Sequence, residues 1–270
     1  MAFAQTGLDQ LDKAAESYQR LSALGPLGAS TAAAGLADLA AYQGRFNDAV
    51  KILEPAAAKD LAAKSADRAS SKFAALAHIQ LNRGQRAQAV AMAQKALDSS
   101  QAAKIRFLAA RIYVEAGEID KAASLAAKTS SEILPEPQAY GKIIQAIILL
   151  KNGNKAEAIK GLQDANNTLN SWIGHFELGR AYLEASAFPE ATSEFDQCLK
   201  RRGEALALFL DEVPTYSYLP AVYYYQGRAD EGLDPKAAAE AYRKFIAIQG
   251  KGEGGDLLHD AKKRLAKLGS

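Results

Sequence analysis

The sequence is short of several things at once. It has a single cysteine, Cys198, so no internal disulfide can staple the chain and a thiolate-rich zinc site has no ligands. A lone cysteine fits a reducing compartment. Cytoplasmic residence is the expectation, with an extracytoplasmic place in a membrane-anchored protein left open. Net charge is nearly absent as well: 33 Lys and Arg against 31 Asp and Glu leave +2 over 270 residues. Nucleic-acid binding needs a field of Lys and Arg to displace phosphate counterions, and this balance argues against it. Long apolar runs are missing too. The longest lies around Ile143 to Leu150, well short of the roughly 18 residues that span a bilayer. Membrane insertion by this chain is therefore not expected. Ala2-Phe3-Ala4 is like the end of a secretion signal, but no apolar region stands before it.

Catalytic constellations are equally scarce. His78, His175 and His259 stand apart from one another, with no second ligand at metal-binding spacing. Cys198 sits at a small-residue position and reads as a buried, inert thiol. No Gly-x-Ser-x-Gly elbow occurs. Gly250-Lys251-Gly252-Glu253-Gly254-Gly255 lacks the strand before it and the Lys-Ser/Thr after it that a phosphate loop requires, so it reads as a flexible hinge. Neither an enzyme nor a cofactor or metal is expected.

What the chain does have is alanine, about a fifth of its residues, the strongest of the intrinsic helix formers. The alanines are not scattered. Turns at Gly44, Gly84, Gly117, Gly153, Ser186 and Gly227 lie 40, 33, 36, 33 and 41 residues apart. Each follows one apolar helical stretch and precedes another. Five positions after the first five turns comes Ala49, Ala89, Ala122, Ala158 or Ala191. A small residue there lets two antiparallel helices approach closely, and a glycine ends the first helix in the left-handed conformation. Periods of this length indicate stacked supersecondary units sharing one elongated core.

Within the fifth unit, Leu178-Gly179, Tyr182, Ala191, Phe195 and Cys198 fall in the register of the tetratricopeptide repeat (TPR). Ala109-Ala110, Tyr113 and Ala122 follow it in the third unit, and Leu76-Ala77, Ala89 and Ala96 in the second. The chain resembles TPR proteins over nearly its whole length. The resemblance implies an all-α fold: an α-solenoid of antiparallel hairpins, wound as a right-handed superhelix and ended by a capping helix. The organisation expected is one solenoid over 1–270. It divides into a partial repeat at 1–28, five full repeats over 30–201, an irregular insertion at 202–217, a degenerate sixth repeat at 218–250 and a cap at 255–269. Too few residues precede Ala14 and Tyr18 for a normal first helix, so the chain is read as beginning part-way through a repeat and as cut from a longer protein. Trp172 to Leu233 is similar to the C-terminal TPR region of bacterial multidomain signalling proteins, which include eukaryotic-like Ser/Thr kinases, winged-helix regulators and cyclases.

In TPRs the first helix of each hairpin lines a concave, partner-binding face. That register carries over to Asp38 and Tyr42, then His78 and Asn82, then Phe107, Arg111 and Glu115. Tyr140, Ile147 and Lys151 follow, then Phe176, Arg180 and Glu184, and finally Tyr224 and Tyr225. Aromatic residues and Arg are the types that dominate protein-binding hot spots, and Arg111 and Arg180 are expected to face solvent. A protein or peptide partner in this groove is the expectation, with a homodimer or a small-ligand sensor as alternatives. The Lys and Asn clamp by which some TPRs grip a C-terminal carboxylate is missing. Its positions hold Ala34 and Asp38, Ala74 and His78, and Phe107 and Arg111. Pro214, Tyr216, Tyr218, Pro220 and Tyr223 to Tyr225 gather seven ring-bearing residues in twelve positions. They read either as filling beside an irregular repeat or as binding surface.

Overall fold

The computed structural model describes residues 1–208 and 213–269. Among them the regular structure is helical throughout. A short α1 (Ala2–Gly7) and α2 (Leu11–Ser22) open the chain. Six hairpins follow: α3 (Pro26–Tyr42) with α4 (Phe46–Ala62), α5 (Ala66–Asn82) with α6 (Arg86–Ser99), α7 (Ala103–Ala116) with α8 (Ile119–Ser130), α9 (Pro135–Lys151) with α10 (Lys155–Thr168), α11 (Trp172–Glu184) with α12 (Phe188–Lys200), and α13 (Pro220–Asp230) with α14 (Pro235–Gln249). Last comes α15 (Asp256–Leu268). Consecutive helices pack on one another, and the first helices of neighbouring hairpins also touch, α3 to α5 to α7 to α9 to α11 to α13. The core therefore grows lengthwise, and the first helices form one continuous inner face.

The local chemistry explains the hairpins. Gly44, Gly84, Gly117 and Gly153 have φ between 72° and 91°, and Ser186 takes the same left-handed position at φ 60°. Ala49, Ala89, Ala122, Ala158 and Ala191 have no exposed surface at all. A methyl group is all that the helix-to-helix contact admits at those points. Gly179 shows the same economy on the partner helix, since a Cβ there would lie 2.6 Å from the Phe195 ring. Helix starts are fixed by capping where the turns are longer: Ser171 Oγ accepts from Gly174 N–H, and Asp234 accepts from the N–H groups of Lys236 and Ala237.

Two expectations need correction. The sixth turn does not fall at Gly227. That residue lies inside α13, where a Cβ would meet the Tyr242 ring at 2.8 Å, so Gly227 is the counterpart of Gly179 and the turn comes later, at Glu231 to Asp234. The extra residues around Ala58 to Ser70 lengthen the helices, and α4 and α5 run to 17 residues each.

The second correction concerns Gly250 to Gly255, which is not a free hinge. The curvature of the solenoid brings this segment against the turn that follows α3. There Gly254 N–H donates to Gly44 C=O at 3.1 Å. Gln249 Nε2 donates to the carbonyls of Ala41 and Tyr42 at 3.2 and 2.7 Å, and Glu253 accepts from Asn47 N–H. The segment is a strap that ties the end of the superhelix to its first full hairpin.

Candidate ligand-binding groove

The inner face is already partly filled by the chain itself. A 3-10 turn (Arg202–Leu206) follows α12, and a second one (Tyr216–Tyr218) precedes α13. Residues 209–212 of the insertion lie outside the described residues. Tyr216 stacks on Tyr42 with ring centroids 4.8 Å apart, and Tyr218 lies on His78 at 4.0 Å. The backbone is held as well: Asp38 accepts from Tyr216 N–H at 2.9 Å and from Ser217 N–H at 3.0 Å. Thr215 Oγ1 donates to Ala205 C=O and accepts from Leu208 N–H, and Tyr140 O–H donates to Leu208 C=O. Burial pushes the Asp38 carboxyl up to about 6, against the pull of the Ser217 hydroxyl and of those two amides. It holds the His78 imidazole down at about 3, with the charge of Arg111 adding to the effect.

Beyond this plug the inner face opens into a cavity of about 280 Å³. His78, Asn82, Arg111, Glu115, Phe176, Arg180, Tyr218 and Tyr225 line it from the plug and the first helices. Phe245, Gln249, Gly255 and Leu258 close it from the strap side. Its floor is a ladder of ion pairs. Glu177, 1% exposed, accepts from Arg111 Nη2 at 2.5 Å and from Arg180 Nη1 at 2.9 Å. Glu115 accepts from Arg180 Nη2 at 3.0 Å and from Lys151 Nζ at 2.7 Å. Burial alone would raise the Glu115 carboxyl, but Arg180 and Lys151 outweigh it and hold it at about 2. Burial likewise opposes the charge of Arg180, and Glu177, Tyr225 and Glu115 overcome it, so this guanidinium stays charged. The same two arginines lie over rings, Arg111 at 5.0 Å from Tyr218 and Arg180 at 5.3 Å from Tyr225.

Seven of the residues read from the sequence thus meet around one cavity: His78, Asn82, Arg111, Glu115, Phe176, Arg180 and Tyr225. Lys151 joins them through Glu115. Others do not reach it. Tyr42 and Tyr140 are covered by the plug, and Phe107 and Ile147 are buried in the core. Tyr224 turns to the cap, donating its O–H to Asp260. Glu184 is exposed at the end of α11. The expectation of solvent-facing arginines is also corrected. The side chains of Arg111 and Arg180 are only 12% and 18% exposed, because a buried carboxylate holds both. Glu177 was the missed residue. Its signal was an acid between Phe176 and Leu178 on an apolar helix, three positions before Arg180.

Among the described residues, no catalytic grouping stands out beside this. His175 is paired with Glu194 and Asn170. Cys198 is fully buried, with its thiol pKa raised mainly by burial. Among the described residues, no group of three His, Cys, Asp or Glu could hold a metal ion, and no helix is long and apolar enough to cross a membrane.

Hairpins closed by left-handed turns, alanine contacts between their helices and an inner face built from first helices define an α-solenoid of the tetratricopeptide type. Solved structures agree. The chain is similar to a tetratricopeptide repeat protein from Parabacteroides merdae, with a TM-score of 0.56 at 14% identity over 99% of this chain and 98% of that one. It is also similar to a chain of the APC/C hetero-tetramer Cut9-Hcn1, with a TM-score of 0.56 at 15% identity over 96% of this chain and 53% of that one. No protein-family model matches the sequence, and no curated protein matches it. Likeness at these identities speaks for the fold alone.

Proposed function

We propose that this solenoid is a non-catalytic scaffold that binds a protein or peptide segment on its concave face. The setting we assign to it is the interaction region of a larger bacterial signalling protein, on the sequence resemblance of residues 172–233. The observation that carries the binding reading is the plug itself. A stretch of chain with aromatic side chains already lies across the first helices, its rings stacked on Tyr42 and His78 and its amides held by Asp38. A surface that takes this segment has the slots and acceptors that peptide recognition uses. Panning a random-peptide display library on the wild type and on the cavity-filling variant Ala221→Trp tests the reading. Clones enriched on the wild type and lost on the variant are expected. The absence of such clones, or equal enrichment on both proteins, would sink it.

A second reading, a small-ligand sensor, is favoured by one observation. The open part of the groove is bounded on one side by the Tyr218–His78 stack and on the other by the strap and α15. At about 280 Å³ it has the size of a compact ligand site rather than of a long channel.

A further inference from the structure

The ladder under the cavity ends on a cation at both ends. In the order Arg111, Glu177, Arg180, Glu115, Lys151 it sets three positive groups against two negative ones. Each of the four carboxylate oxygens is already within hydrogen-bond distance of a cation. An ammonium group would have to share an oxygen that a cation already holds, while the ladder itself carries one positive charge more than it has negative ones. His78 is neutral and adds nothing to that charge. The remaining charged groups on the lining, Arg86 and Asp256, are exposed and of opposite sign. The walls above the ladder are rings: Phe176, Tyr218, Tyr225 and Phe245.

From this charge and shape we infer that the cavity binds a small free organic acid, one carboxylate on an apolar body of ring size. The carboxylate sits against the Arg111–Arg180 side and the body lies among Tyr218, Tyr225 and Phe245. The inference rests on the second, small-ligand reading of this cavity and adds the chemistry of the ligand. The small volume between plug and strap suits a free molecule of ring size.

Titration with 3-phenylpropanoate, 3-phenylpropanamide and the peptide N-acetyl-Gly-Gly-Phe tests it. Trp172, the one tryptophan of the chain, stacks at 5.6 Å on the cavity residue Phe176 and reports occupancy by its fluorescence. A probe of this size binds with a Kd of about 1 mM in a fitting site. The amide is expected to bind at least about tenfold more weakly, the worth of one charge-assisted contact. Lys151→Met makes the ladder neutral at a partly exposed position, and it brings acid and amide to within about twofold of each other. Ala221→Trp, or Leu257→Trp should the first variant fail to fold, abolishes binding of both. Equal affinity for acid and amide overturns the anion assignment and leaves the cavity reading standing. No binding of either overturns both. Tighter binding of the peptide than of the free acid overturns the assignment to a free molecule.

Discussion

The Tyr218 ring lies flat on the imidazole of His78, with centroids 4.0 Å apart and planes 8° from parallel, and Arg111 sits over the same ring. The pile joins the plug to two first helices, α5 and α7. It also requires a neutral imidazole, since a second cation beside Arg111 would repel it. Burial supplies that condition by holding His78 at about 3. Tyr218→Ala removes a buried ring and both of its partners' contacts. The expected cost in urea denaturation is about 3 kcal/mol, with faster proteolysis of the stretch between α12 and α13. Tyr218→Phe keeps the stack and is expected to cost about 1 kcal/mol. Equal losses for the two variants would show that the hydroxyl, not the ring, holds the plug.

Glu177 supports the second prediction. It is buried between two guanidinium groups, and removing it leaves both without their shared counter-charge. Glu177→Ala is expected to destabilise by about 3–5 kcal/mol, whereas Glu177→Ala combined with Arg111→Met and Arg180→Met recovers part of the loss. Reversing the two arginines to Glu, which their groove register suggests as a harmless surface change, is expected to lower the melting temperature sharply. A melting temperature unchanged by that reversal would show that the ladder is only a surface feature.

The hairpin fold was legible because its determinants are local. The Ala positions, the left-handed turns and the Leu178-Gly179 pair all sit at fixed offsets within a single repeat. What escaped notice is set by curvature, which accumulates over six hairpins. No offset within a repeat tells that Gly254 will meet Gly44, or that Tyr216 will reach Tyr42 across the inner face. Gly227 misled for a related reason. It stands at about the right distance from Ser186 for a turn, but it serves the close approach of Tyr242. The site fared in the same way. The register of first-helix positions led to Arg111 and Arg180, while their common partner Glu177 looked like an ordinary charged residue.

Asp38 gives a pH prediction of definite sign. Burial raises its carboxyl from 3.8 to about 6 on folding, so the folded chain holds this proton more tightly than the unfolded chain does. The stability that this group contributes is therefore greatest at low pH and is lost as pH rises from 3.8 to about 6. Asp38→Asn removes the titration and keeps one acceptor for the amides of the plug. Measured by chemical denaturation, the stability of the variant relative to wild type is expected to improve between pH 4 and pH 7. A relative loss over that interval would mean that the amides of Tyr216 and Ser217 hold the carboxyl below its usual range. Glu115 works in the opposite sense, its contribution being lost only as pH falls from 4.5 toward about 2.

The strap supplies the last prediction, because its closure depends on a residue without a side chain. A Cβ on Gly252 would lie 2.4 Å from the Gly44 carbonyl oxygen and 2.6 Å from the Arg45 backbone. Neither neighbour is the end of a flexible side chain, so Gly252→Ala has to lift the strap away, at a cost of about 1–3 kcal/mol. Gly232→Ala is the control, since a Cβ there meets nothing within 4 Å. The amides of Gly254 and Asn47 lose their acceptors when the strap lifts. Their hydrogen exchange is expected to accelerate in Gly252→Ala and not in Gly232→Ala, and small-angle scattering is expected to show a larger radius of gyration. Unchanged exchange at both amides would mean that the superhelix keeps its curvature from the hairpins alone. In that case Phe245 and Leu258 close the cavity without help from the strap.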